Sequence, residues 1–597
     1  MRPILLILAV VLLLRVPFLN QAIQGDDVNY LYGAQHAQID PLHPTHARYV
    51  FLGDLVDMRG HSHPPLNAWI LALLLAVLGD VREVPFHAAY ALLSMVAACA
   101  MWSLARRFSE RPLWATLLFL ATPAFVVNGN SLESDLPFLA FWMAAIALFV
   151  NAVERRSGPG LACACACGAL AGMSAFQGVF LTPILGVFAW LYAKDWRPAW
   201  FGTLAAPVAI VAWQVFERVT SGALPAAVLA GYFQTYGFQA ITQKLKSAGA
   251  LSVHALWIIC PLLIPPAVVA SARRRDRDTV FLCAWTALFF LSVAAVVFAG
   301  SARYLLPLAA PVALLASRLN SGWLAAGFAL QMALSIALAV VNYEHWDGYR
   351  RFAHELRPQM ENRRVWVNGE WGLRFYLEAE GALPLRNNQA VYPGDIVVSS
   401  ELGYPAPFTA GGGTLAPIAR REIRPWLPLR IIGLGTKSAY STVSAGYRPF
   451  DFSTGPIDRI RADLVIERKP TLELFRMNSP EASEHLVSGV YTLEEGRWRW
   501  MSAAATVMLK SPQTPTPLHA IFVIPDASPA RRIALSVEGH EVAAQTFGGP
   551  GSYRLEASAR AYAAERVTVT VSADRTFSAP NDRRELSIIL TEVGFSR

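Results

Sequence analysis

The hydrophobic pattern divides the chain near residue 342. Before that point long apolar runs follow one another, and after it short runs alternate with steady arginine, glutamate and aspartate. Crossing the roughly 30 Å of bilayer hydrocarbon takes about 17 to 25 apolar residues in a helix. Runs at 3–19, 85–105, 113–127, 136–150, 161–176, 179–192, 201–216, 255–272, 280–299, 304–317 and 322–341 approach or meet that length. They predict a polytopic α-helical membrane domain of about eleven spans. No small-x-small cleavage site directly follows 3–19, so this run reads as an uncleaved first helix.

The run Leu66–Leu78 is apolar as well, and charge decides its place. If it lies along the interface and the N-terminus is cytoplasmic, the basic turns at Arg106-Arg107, Arg111, Arg155-Arg156, Lys194, Arg197, Arg273 to Arg277 and Arg318 all face the cytoplasm. Making it a span throws every one of them outside, against the positive-inside rule. Pro64 and Pro65 suit the first turn of such an interfacial helix. The resulting topology puts the first loop, the 128–135 connection, the 217–254 loop, Arg303 and the whole C-terminal half on one extracytoplasmic (periplasmic) side of the cell's inner membrane.

Beyond residue 342 the runs 364–367 and 395–399 read as strands around a helix at 372–380, a small β-α-β unit, with Gly411-Gly412-Gly413 in a loop. Short alternating runs at 519–524, 532–537, 567–571 and 586–590 predict an antiparallel β-sandwich. The organisation is a membrane domain over 1–342, an extracytoplasmic α/β region over 343–480 and a β-sandwich-like domain over 481–597.

A chain that is 54% hydrophobic and 16% charged is no ordinary soluble protein. The net charge of +8 would suit nucleic acid, but the basic residues sit in short clusters between helices, so membrane lipids are the expected surroundings and no nucleic-acid partner is expected. The six cysteines all lie in apolar runs. Cys163, Cys165 and Cys167 diverge around a helix, so they read as small buried hydrophobes.

Candidate chemistry begins a few residues after the first helix. In Asp26-Asp27 one carboxylate can take a proton from a hydroxyl, with the other raising its pKa or holding a cation; the same pair also suits a helix cap. His63, in a rigid His-Pro-Pro turn, can donate to a phosphate or hydroxyl. Glu133 and Asp135 stand at an outer helix end, where each suits holding an acceptor or a metal as well as capping the helix that follows. Arg303, followed by Tyr304, places a cation at the mouth of a span, where a phosphate leaving group needs one and where a snorkelling arginine also sits. Lys244 and Lys246 in the long outer loop are candidates for the same task. No resident cofactor is indicated, although the acids leave room for a divalent cation.

Asp-Asp after the first helix, His-Pro-Pro-Leu at the end of the first loop, an acid in the later outer connection and Arg-Tyr-x-x-Pro late in the membrane domain together resemble the GT-C glycosyltransferases. Within them the resemblance is to the group of protein O-mannosyltransferases, aminoarabinose transferases and RgtA/B/C/D-like proteins, over roughly residues 1–341. It implies a sugar carried on a polyprenyl phosphate, a protein, lipid or polysaccharide acceptor whose hydroxyl is deprotonated by Asp26 or Asp27, departing phosphate steadied by Arg303, and inversion at the anomeric carbon. The chain departs from the pattern twice. Asp26-Asp27 replaces the usual Asp-Glu, and Gln177 stands where a donor-binding lysine is common. The rival reading is a transporter or lipid flippase with an extracytoplasmic glycan-binding domain. Ion-coupled carriers place ionisable residues inside spans, and the apolar runs here are nearly free of them.

Overall fold

The computed structural model describes residues 2–61, 63–438, 440, 446–526, 528–579, 582 and 584–596. Among them four helices are long and apolar enough to cross a membrane: Glu83–Phe108, Asp135–Arg155, Arg277–Val296 and Ser321–Met360. Six further apolar helices are shorter, so the described helices account for four full-length spans of the about eleven expected. Proline explains part of the difference. The run 113–127 becomes two helices, Pro112–Leu120 and Pro123–Asn128, because Pro123 lacks the N–H that would continue the first.

At about 1.5 Å per residue, the 26 residues of Glu83–Phe108 and the 21 of Asp135–Arg155 are long enough to span a bilayer. Their ends differ in chemistry. Arg107 pairs with Glu154 and, at 2.9 Å, with Asp278 at one end, while Asp135 faces Arg303 at the other. A buried cluster including Trp142, Phe149, Phe188, Phe281 and Trp285 fills the bundle between those ends.

The first loop is folded. It contains the helix Asp27–His36, a hairpin of Arg48–Phe51 against Asp54–Asp57, and the 13-residue helix Leu66–Leu78. The helix Ser321–Met360 is 40 residues long and leaves the bundle to pack against the α/β unit that follows it. In that unit Val365–Asn368 and Ile396–Ser400 are parallel neighbours around the helix Trp371–Ala379, as the β-α-β reading expects. The Gly411 to Gly413 stretch, read as loop, instead ends in the strand Gly413–Ile423, which pairs antiparallel with Asp458–Glu467.

The C-terminal unit is a rolled nine-stranded sheet. Its outermost strands, His540–Phe547 and Gly551–Arg560, meet through Phe547 and Tyr553 at 4.7 Å between ring centroids, closing over one apolar core. The expected strands are present, but the last lies further along the chain, at Ile589–Phe595.

Candidate active site

Three separate stretches of chain bring acids and one cation together. The Arg303 guanidinium, whose side chain is 11% exposed, contacts Glu133 directly, lies 3.3 Å from Asp26 and 3.7 Å from Asp135, and stacks over Tyr304. Glu133 also accepts the backbone N–H of Asp26 at 3.1 Å. Asp26 is thereby positioned through its main chain, leaving its partly exposed carboxylate to face a cavity. Gly25 permits this approach, since it has φ +44 and a Cβ there would sit 2.6 Å from the Glu133 carboxylate.

The two adjacent aspartates have different roles. Asp27 is fully buried and accepts the N–H groups of Gln24 at 3.0 Å and Leu132 at 2.8 Å, pinning the first loop to the connection that carries Glu133. Burial pushes its carboxyl up to about 8, against the pull of those two donors. Burial also raises Glu133 well above the ordinary carboxylate range, with Arg303 opposing it.

The connection itself is held from below by Arg15, a residue the motif reading passed over. Arg15 is buried and donates to the carbonyls of Phe125 at 2.7 Å and Val126 at 3.0 Å, closing the C-terminal end of the helix Pro123–Asn128. Tyr440, from the half of the chain beyond residue 342, donates to Asn128 at 2.9 Å.

The cavity has a volume of about 380 Å³ and draws its wall from both halves of the chain. Asp26, His61, Arg303 and Tyr304 line the membrane side, and Glu370, Trp371 and Tyr404 come from the α/β unit. Tyr49, Phe51, Tyr232, Tyr236, Phe238 and Phe298 make the remaining wall strongly aromatic, which suits the faces of sugar rings. Tyr232, Tyr236 and Phe238 come to this wall from the 217–254 loop. Three wall residues, Leu52, Trp371 and Tyr404, have φ values of 50, 67 and 56. Each such conformation costs on the order of 1–3 kcal/mol and persists only where the surroundings enforce it.

Glu370 supplies part of that enforcement. It accepts the N–H of Leu52 at 2.8 Å and the Arg374 guanidinium at 3.0 Å, while Arg374 also donates to the carbonyl of Val50. The hairpin carrying Tyr49 and Phe51 is therefore clamped to the α/β unit. Burial raises Glu370 to about 7. Gly372 meets the chain just before the acids: a Cβ there would sit 2.2 Å from the carbonyl oxygen of Ile23.

The remaining candidates are placed as follows. His63 stands behind the wall, its Nδ1 2.9 Å from the Ser134 hydroxyl, and its neighbour His61 lines the cavity instead. Burial lowers both imidazoles, His61 to about 4, so neither is a cation at neutral pH. Lys244, in the helix Ile241–Ala255, donates to the carbonyl of Ala295 at 3.1 Å and Lys246 is exposed; Gln243, one residue before Lys244, lines the cavity. Gln177 lies in the turn Phe176–Phe180, outside the cavity wall.

Residues 62–217 match the family model of the dolichyl-phosphate-mannose-protein mannosyltransferases. The chain is similar to GT-C membrane glycosyltransferases. The matched stretch includes His63, Glu133 and Asp135; Asp26 and Arg303 lie outside it. Among solved structures the chain is similar to ArnT from Cupriavidus metallidurans bound to undecaprenyl phosphate, at 13% identity and a TM-score of 0.48, over 77% of this chain and 97% of that one. It is also similar to the S. cerevisiae protein O-mannosyltransferase Pmt1-Pmt2 complex bound to the sugar donor, at 17% identity and a TM-score of 0.27, over 37% and 34% of the two chains. The arabinofuranosyltransferase AftD from Mycobacteria matches at 13% identity and a TM-score of 0.38, over 99% of this chain and 58% of that one. No curated protein matches the chain.

Proposed function

We propose that this protein transfers a sugar from a polyprenyl-phosphate donor to a hydroxyl of a protein, lipid or glycan acceptor, at the extracytoplasmic face of the membrane. The observation that carries the reading is the approach of Asp26 to Arg303, 3.3 Å apart at one cavity between the helical bundle and the soluble unit. The match of residues 62–217 to a family whose named donor is a lipid-phosphate sugar supports the reaction class.

Asp26 is the base. As the acceptor oxygen attacks the anomeric carbon, its proton passes to the Asp26 carboxylate. The bond from that carbon to the phosphate oxygen breaks with its electrons staying on phosphate, and polyprenyl phosphate leaves. Attack from the face opposite the leaving group inverts the anomeric centre. Arg303 balances the charge developing on the departing phosphate. Asp27 holds the loop, and Glu133 and Asp135 orient Arg303. Trp371, Tyr404 and the aromatic wall hold sugar rings. A carrier would need its ionisable groups along a path through the bundle, whereas here the acids and Arg303 gather at one end of it.

The test is to reconstitute the full-length protein and supply a panel of radiolabelled polyprenyl-phosphate sugars. Consumption of one of them by the wild type, and its loss in Asp26→Asn, supports the reading. Consumption of none, or equal consumption by the variant, rejects it.

A further inference from the structure

We propose that Asp40, His43 and His46 bind a divalent transition-metal ion, zinc foremost, that staples the first loop to the end of the helix Ala205–Ser221. The inference is independent of the sugar-transfer reading, because none of the three residues lines the cavity.

Local backbone geometry sets the ligands up. Two successive turns, closed by His43 N–H to Asp40 O at 3.2 Å and His46 N–H to His43 O at 3.1 Å, bring every third residue to one side. One ligand atom from each of Asp40, His43 and His46 then lies within 4.8 Å of the others. The two imidazoles stack at 4.4 Å between centroids, and His43 packs on Phe216 at 5.3 Å.

The second observation is how the rings are held from behind. His46 Nε2 is 2.7 Å from the Glu217 carboxylate, and His43 Nε2 is 2.9 Å from the Thr220 hydroxyl. Both partners belong to the helix Ala205–Ser221. Each ring is thus anchored through Nε2, which leaves Nδ1 as the ligand atom; His43 Nδ1 already lies 2.9 Å from Asp40 Oδ2. A metal-binding imidazole is ordinarily fixed in this way, with its far nitrogen on a carboxylate or another oxygen.

Two nitrogens and one carboxylate oxygen suit zinc and its neighbours, whereas calcium and magnesium prefer all-oxygen sets. Charge agrees, since the fully buried Glu217 carboxylate and Asp40 offset a dication. With metal–ligand distances of about 2.0–2.2 Å, small side-chain rotations close the set and leave a fourth position for water. The hairpin beginning at Arg48 follows directly, so an occupied site would brace the loop carrying Tyr49 and Phe51.

The experiment uses full-length protein purified through a histidine-free tag, stripped with chelator and dialysed against zinc or cobalt chloride. About one equivalent per chain by elemental analysis is expected, with visible Co²⁺ bands of a four-coordinate site and a metal-dependent rise in melting temperature. The paired variant His43→Asn/His46→Asn should lose the equivalent and the Co²⁺ bands, while His540→Asn, on the exposed sheet, should keep both. If the paired variant does not fold, Asp40→Asn decides: affinity lower by about tenfold or more supports the site. Substoichiometric binding by the wild type, an equivalent retained by the paired variant, or unchanged affinity in Asp40→Asn overturns it.

Discussion

The Arg303 guanidinium lies 3.3 Å from the Asp26 carboxylate, although 277 positions of chain separate the two residues. Arg303 also contacts Glu133 and lies near Asp135, so one cation answers acids from the first loop and from the 128–135 connection. The buried members of the set are Arg303 and Glu133, and removing the cation from such a pair typically costs about 3–5 kcal/mol because the acid is left charged and unpaired. Asp26 is partly exposed, and without it Arg303 still has Glu133 and Asp135.

The adjacent aspartates should separate in a stability measurement. In Asp27→Asn the new NH2 group faces one of the two backbone N–H donors now bound, leaving that donor unsatisfied. A loss of about 1–3 kcal/mol is expected, read as a lower melting temperature in detergent. Asp26→Asn should melt as the wild type does. Equal melting of both variants would show that Asp27 does not hold the loop.

Gly25→Ala should impair turnover without impairing membrane insertion. The added methyl would meet Glu133, and φ +44 disfavours any side chain at that position. A fall in kcat with a normal insertion profile is expected; unchanged kcat would mean that the Asp26 to Glu133 contact does not set the geometry of the base.

Glu370 predicts a pH dependence. Its carboxyl is raised to about 7 in the fold, against about 4.3 in an unfolded chain. Between those values the folded state holds the extra proton, so the stability from this group is present below about pH 4 and is lost as pH rises toward 7. Across that window the melting temperature of the wild type should fall relative to Glu370→Gln. Parallel curves would place the titration elsewhere.

Much of this arrangement was legible in the chain. Asp26, Glu133, Asp135 and Arg303 stand out because each is ionisable at the edge of an apolar run, and charge sidedness places them together. The division of labour within Asp26-Asp27 was not, since it depends on which carboxylate meets the N–H of Leu132, more than a hundred residues away. Glu370, Trp371 and Tyr404 were equally hidden. Glu370 and Trp371 open a helix and Tyr404 lies in the connection after the strand Ile396–Ser400, and they become cavity residues only where the α/β unit packs on the first loop. Lys244 drew attention by its charge, but the helix Ile241–Ala255 turns the neighbouring Gln243 toward the cavity. The run 113–127 reads as one span because hydropathy does not register the hydrogen bond that Pro123 removes.

The central claim is that Asp26 and Arg303 act as one unit in the transfer step. The most direct measurement is a double-mutant cycle on turnover of the polyprenyl-phosphate sugar, using Asp26→Asn, Arg303→Met and their combination. Each single variant is expected to lose about 10²- to 10⁴-fold in kcat, and the double variant little more than the worse single one. Losses that multiply in the double variant, or a single variant with wild-type kcat, would contradict it.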